Sequence, residues 1–188
     1  MPRGRLLSAA AVGALALIVA GCQSVRTVSH SHSLNDVFGY VYTASLPLEV
    51  VGNPYPGAAN DQVAAAAAHA MSGLVSRRRL DFVAVPPDAG AHANGYRVVL
   101  FLSGGGIVAG ERLCAGRLPT DPAKGGSLHA SAALCQGAKL VAWAEGWGGP
   151  VPAVPDATFA ALMDRLIDAV FKRETDRENR NPTEWPEG

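Results

Sequence analysis

No stretch of this sequence is apolar for long enough to sit in a bilayer as a permanent span. The early apolar stretch, Leu6 to Ala20, has fifteen residues before the small and polar Gly21-Cys22-Gln23-Ser24, where a transmembrane helix needs roughly 20. Neither sign of charge is in excess, with 16 Lys+Arg against 16 Asp+Glu, so the basic footprint that nucleic-acid binding requires is missing. Cysteine is scarce, at three residues without a C-x-x-C pair, which removes the usual spacing of zinc and thiol-redox motifs. No G-x-S-x-G elbow exposes a nucleophilic serine, no nucleotide loop ends in lysine and serine or threonine, and no internal repeat is visible. What remains is a chain with 48% hydrophobic residues, enough for one domain with a core made of many small contacts.

The short apolar run is informative for how it ends. Arg3 and Arg5 precede it, and "ALIVAGCQS" (16–24) closes it. A basic start, a brief apolar middle and a small-residue end outline a secretory signal peptide. On composition alone an ordinary signal peptide or a buried N-terminal helix would also fit. Val19-Ala20-Gly21-Cys22 resembles the lipobox of bacterial lipoproteins: an aliphatic residue, two small residues and an invariant cysteine. The resemblance implies a diacylglycerol on the Cys22 sulfur and cleavage between Gly21 and Cys22. Two or more acyl chains, at about 0.8 kcal/mol per buried methylene, hold a protein stably where one does not. In Gram-negative members of that family an aspartate after the cysteine retains the protein in the inner membrane. Gln23 stands there, which implies the outer membrane, with the domain facing the periplasm and the inner membrane as second choice. The mature chain would have 167 residues, 14 of them basic and 16 acidic.

Lipidation also resolves the odd cysteine count. With Cys22 taken, Cys114 and Cys135 remain, and in an oxidising periplasm they are expected to form a disulfide. Closing a loop of about 20 residues contributes roughly 3 kcal/mol in the chain-entropy model. The rival reading is a pair of metal-binding or redox thiols.

Four segments follow from pattern: a signal peptide over 1–21, a polar tether over 22–36, one domain over 37–172, and a charged tail over 173–188. Within the domain, "FGYVYT" (38–43) and "LPLEVV" (46–51) read as short strands, and "GNPYPG" as a turn. A helix is expected from Ala58 to Arg77, because Val63, Ala66, Ala67, Ala70, Met71, Leu74 and Val75 form one stripe. Arg77-Arg78-Arg79 would suit the negative end of its dipole. "LDFVAV" (80–85) and "YRVVLFL" (96–102) are strands, the latter central because nearly every residue wants cover. "IVAGERLC" (107–114) is expected as an edge strand or extension. "SLHASAALC" (127–135) and "LVAWAEGW" (140–147) should pair as a hairpin through "QGAK". A last helix opens at Asp156, a good N-cap, and carries Phe159, Leu162, Met163, Leu166, Ile167, Val170 and Phe171 on one face. The order predicts an α+β domain: a mainly antiparallel sheet of four to five strands with two helices on one face.

Few residues invite chemistry. Gly104-Gly105-Gly106 follows a strong strand, but no helix is expected to begin there, so it reads as a turn rather than a phosphate loop. His30 and His32 alternate on the tether and could touch one metal ion, yet no acid or cysteine cluster stands beside them. His69, His129 and Ser131 read as hydrogen-bonded or surface residues, and Asp164 with Asp168 as a wet helical face. Trp143 and Trp147, four apart, would share one side of a strand as an aromatic binding surface or lie half-buried beneath a helix. Trp185 sits in the tail as a short partner-binding element or a free end. No motif calls for a cofactor or a metal. The reading that results is a lipid-anchored envelope protein acting as adaptor, assembly factor or binding domain for an envelope partner, with membrane contact through Cys22. A lipid-anchored enzyme or a small-ligand carrier, its site formed only in three dimensions, stays open beside it.

Overall fold

A computed structural model describes residues 25–31, 45–75, 78–87, 95–120, 122–150 and 156–172. The signal peptide, Cys22, His32, the strand expected over 38–43 and the tail with Trp185 lie outside the described residues. The fold is α+β. Strands β1 (Arg26–Ser31), β2 (Ser45–Val51), β3 (Gly73–Val75), β4 (Arg78–Val85), β5 (Tyr96–Ser103), β6 (Ser127–Gln136) and β7 (Lys139–Pro150) form one sheet, in the order β1-β7-β6-β5-β2-β4-β3. Helices α1 (Asn60–Met71), α2 (Gly110–Cys114) and α3 (Ala157–Val170) complete it.

Three expectations need correction. The sheet is larger than four to five strands and is mixed, because β2 runs parallel to both β4 and β5. A helical connection between β2 and β4 permits that direction, as parallel neighbours need a crossover. The helix expected to reach Arg77 stops at Met71: Ser72 turns its hydroxyl back to the Ala68 carbonyl, and Gly73 has φ +153°. Leu74 and Val75 then lie in β3, with Val75 buried and Leu74 exposed. Their spacing suited a helical stripe, but the Ser72-Gly73 pair ends the helix, and glycine tolerates that φ where other residues do not. The segment 107–114 is no edge strand; its second half is α2, a single short turn of helix.

A further difference concerns the stretch read as tether. Arg26 to Ser31 pairs antiparallel with β7, from Arg26 opposite Trp147 to Ser31 opposite Ala142. Thr27, Val28 and Ser29 carry a weak period-2 signal that polarity hides. The strand is fastened from the helix side as well. Ser29 donates to the Ala169 carbonyl at 2.7 Å, an oxygen in the last turn of α3 that has no partner within the helix. Arg165 donates to the Val25 carbonyl at 3.1 Å.

The core has two compartments, one on each face of the sheet. On the first, α1 and α3 cover β2, β4, β5, β6 and β7. All seven stripe residues of α3 are buried, and Asp156 caps it by accepting the Phe159 N–H at 2.6 Å. They lie over a sheet face of small residues, including Ala130, Ala132, Ala142 and Ala144. A Cβ at Gly146 would stand 2.8 Å from a Leu162 methyl, so this glycine sets how closely α3 approaches. On the second face α2 and the loop before it cover Val99, Phe101, Ala133 and Cys135. Cys114 and Cys135 form a disulfide with Cα atoms 5.5 Å apart, fixing α2 to β6. β5 is thus buried on both sides, as its run of apolar residues requires.

The second compartment contains a charge pair. Glu49 of β2 and Arg97 of β5 meet at 3.0 Å, with side chains 5% and 3% exposed. Arg97 also donates to the carbonyls of Gly137 and Cys114, so one guanidinium ties two strands, the β6–β7 turn and α2 together. Removing one member of such a pair leaves an uncompensated buried charge, at about 3–5 kcal/mol. Arg97→Met alone should therefore lower the urea midpoint severely. Glu49→Leu with Arg97→Met should recover a large part of that loss; an additive pair of losses would show the two groups act independently.

Candidate functional site

The tryptophan surface is built on β7. Residues on a strand alternate between faces, so Trp143, Glu145 and Trp147 point away from α1 and α3. Each faces a residue of β1 across the ladder: His30 opposite Trp143, Val28 opposite Glu145 and Arg26 opposite Trp147. The His30 ring stacks on Trp143, with centroids 4.3 Å apart and planes 13° from parallel. Its Nε2 lies 3.3 Å from Glu145 Oε1. The other side of Trp143 is closed by α2. A Cβ at Gly110 would fall 2.6 Å from Trp143 Cγ. Trp143 is therefore sandwiched between β1 and α2, as part of the second core rather than an open platform.

Trp147 is different. It is half-buried, and the Arg26 guanidinium lies 5.6 Å from its ring centroid, within cation–π range. Arg26 itself is exposed. Between the two tryptophans, Glu145 Oε2 is buried and has no hydrogen-bond partner among the described residues. The two tryptophans do share one side of the strand, but only Trp147, with Arg26, offers a surface.

The other residues singled out from sequence fall into structural roles. The triple glycine cannot cradle a phosphate, because its N–H groups are already engaged. Gly104 donates to the Ala123 carbonyl at 2.6 Å, Gly105 to Ser103 Oγ at 3.1 Å and Gly106 to His129 Nδ1 at 3.0 Å. Ser131, fully buried, accepts the Val108 N–H at 3.0 Å. His129 and Ser131 thus hold the loop that leads into α2. His69 is exposed on α1. His30, read from sequence as a solvated tether residue, is the ring that covers Trp143. Its only advance signal was the alternation Arg26, Val28, His30.

Asp164 and Asp168 are exposed on one face of α3. Partial burial, and then the charge of Asp164, hold the Asp168 carboxyl above its ordinary range. The Tyr55 hydroxyl is likewise pushed up by burial and by Asp156; its ring meets Phe159 edge to face, 5.8 Å between centroids. Among the described residues, no group of three His, Cys, Asp or Glu stands close enough to hold a metal ion.

No known family model matches the chain, and neither does any curated protein sequence. Solved structures give a distant likeness. The PelC dodecamer from Paraburkholderia phytofirmans is 11% identical, covering 80% of this chain and 100% of that one, at a TM-score of 0.45. A point variant of the same PelC dodecamer, in another crystal form, is 12% identical over 80% of this chain and 99% of that one, at a TM-score of 0.40. A likeness of that size carries no argument about role.

Two outcomes follow from this geometry. Gly110→Ala forces a methyl into Trp143 at atoms too near the backbone to swing away. Overpacking of this kind costs about 1–3 kcal/mol, and the near-UV circular dichroism of the tryptophans should change with it; an unchanged midpoint and spectrum would refute the sandwich. Asp168→Asn should stabilise the domain at pH 7 by about 0.2–0.5 kcal/mol, the size of a like-charge helical pair. An acid held above its usual range destabilises the fold once ionised, so the gain should vanish as pH falls through the carboxylate range. Thermal midpoints of both chains from pH 3 to pH 8 measure it.

Proposed function

We propose that this chain is a lipid-anchored envelope protein that works by surface contact with an envelope partner, held through Cys22 at the outer membrane and facing the periplasm. The lipobox residues Val19 to Cys22 supply the anchor, and Gln23 favours the outer membrane. The observation that carries the reading is the distance from anchor to fold. Only three residues separate Cys22 from Arg26, the first residue of β1. The four residue steps from Cys22 to Arg26 reach at most about 14 Å, so a lipid on Cys22 would keep the β1–β7 edge beside the headgroups.

That edge carries the Arg26–Trp147 pair, the open part of the tryptophan surface. Tryptophan and arginine are the residues that most often dominate the energy of a protein contact. Fixing the domain by one edge also fixes which faces a partner can reach. Among the described residues no helix is long and apolar enough to cross a membrane; the acyl chains would do the holding.

Cys22→Ala should leave the protein uncleaved and shift it out of the outer-membrane fraction, read by intact mass and by fractionation. A processed, membrane-bound Cys22→Ala protein would sink the anchor. Trp147→Ala should keep the lipid and the fold but lower crosslinking to the partner about tenfold or more, the scale of an interface hot spot. Undiminished crosslinking would remove Trp147 from the contact while leaving the anchor intact.

A further inference from the structure

We propose that the domain holds a separate small-molecule site at the carboxyl ends of β2 and β4, suited to an amphiphile with a short aliphatic body and a protonated amine head. β2 has parallel neighbours on both sides, β4 and β5. The chain passes through α1 to reach β4 and afterwards returns to the far side of β2 as β5. In sheets with parallel strands, the crevice beyond the carboxyl ends at such a reversal is where ligands bind. A cavity of about 480 Å³ occupies that position, within the range of roughly 300–1,000 Å³ typical of ligand sites.

Its walls are aliphatic: Val50 and Val51 end β2, Ala84 and Val85 end β4, and Ala64 faces in from α1. Small side chains at Ala64 and Ala84 leave the space open. Polar groups stand on one side only, at Asn60 and Asp61 in the first turn of α1. An apolar body with one polar pole follows from that arrangement.

The sign of the pole follows from the helix start. A bare helix N-terminus attracts anions through its free N–H groups, but here the N–H of the N-cap residue Ala59 and that of Gln62 in the first turn are taken. Ala59 donates to Gln62 Oε1 at 3.2 Å, and Gln62 donates to Asp61 Oδ1 at 2.9 Å. Asn60 Oδ1 receives the Asn53 amide at 3.0 Å. Asp61, exposed at the mouth, then sets a negative charge there, with Oδ1 turned to the Gln62 N–H. A carboxylate is repelled there, and an ammonium meets an opposite charge. This site does not depend on the lipid anchor or on the Trp147 contact.

The probes are n-octylamine, n-octanol and octanoate, titrated at pH 7 into the mature chain while the methyl signals of Ala64, Ala84 and Val85 are followed by NMR. Octylamine should shift these signals, octanol should bind about threefold more weakly, the worth of an exposed ion pair, and octanoate should leave them unmoved. Asp61→Asn should bring octylamine to the octanol level. Ala64→Phe should abolish both by filling the cavity, with a thermal midpoint to confirm folding; Ala84→Leu serves the same purpose if that chain does not fold. The proposal is overturned if none of the probes binds, or if octanoate binds as tightly as octylamine. It is equally overturned if the shifts fall at Trp147, or if the wall methyls show contacts to residues 88–94 in the free protein, because the groove is then already filled.

Discussion

A carboxylate and a guanidinium sealed from water between β2 and β5 constrain the architecture more tightly than any apolar contact. Apolar side chains accept many arrangements of about the right volume, but Arg97 has a planar fork whose donors must each meet an acceptor. The Gly137 and Cys114 carbonyls accept from its two terminal nitrogens, and Glu49 supplies the counter-charge 3.0 Å from Nε. Those partners come from β2, from the β6–β7 turn and from α2. If β2 slipped by one residue, Glu49 would turn to the first face, among the aliphatic side chains beneath α1 and α3. The pair therefore fixes the register of the parallel strands and the seat of α2 together.

The second compartment grows from that point. α2 has only five residues, too few to be stable alone. It stays because the disulfide holds its last residue to β6, Arg97 binds its terminal carbonyl, and Gly110 lets its first residue touch Trp143. Upstream, His129 and Ser131 hold the glycine loop that delivers the chain to α2. Residues that looked like candidates for chemistry thus turn out to fix one short helix over a strand that must be covered on both faces. Trp143 belongs to the same construction, with His30 closing the side that α2 leaves open.

How much of this was legible in the sequence depended on the kind of signal. α3 was readable in full, because an N-cap aspartate and a seven-residue stripe agree. The β6–β7 hairpin and the central place of β5 were readable from alternation and from the density of apolar residues. The pairing of Cys114 with Cys135 came by elimination rather than by spacing. The end of α1 was misread, since the heptad-like spacing of Leu74 and Val75 continues past a break that one serine and one glycine impose. β1 was missed because a strand held by backbone bonds, one stacked histidine and one serine needs no hydrophobic pattern. The parallel pairs were missed because direction is set by tertiary connection, not by local preference. Single charges inside the strings "LPLEVV" and "YRVVLFL" were a signal available in advance: a charge in a run that must be buried needs a partner in another run.

β1 joins the questions of fold and role. Among the described residues it is an edge strand, paired on one side only, with β7. It is also the described strand closest in sequence to Cys22, so a lipid there, as proposed, would sit next to the strand whose Arg26 and His30 cover Trp147 and Trp143. Any pull along the anchor would act first on the Arg26–Trp147 end, where one cation–π contact is the side-chain tie to β7, and only afterwards on the His30 stack. The helix-side bonds from Ser29 and Arg165 resist the same displacement from the opposite face. An edge strand secured from both faces of the sheet can carry an anchor without exposing the first core. A flexible tether joined directly to the domain would leave the orientation free. With the proposed lipid on Cys22, the structured β1 would instead fix which edge of the sheet lies toward the anchor.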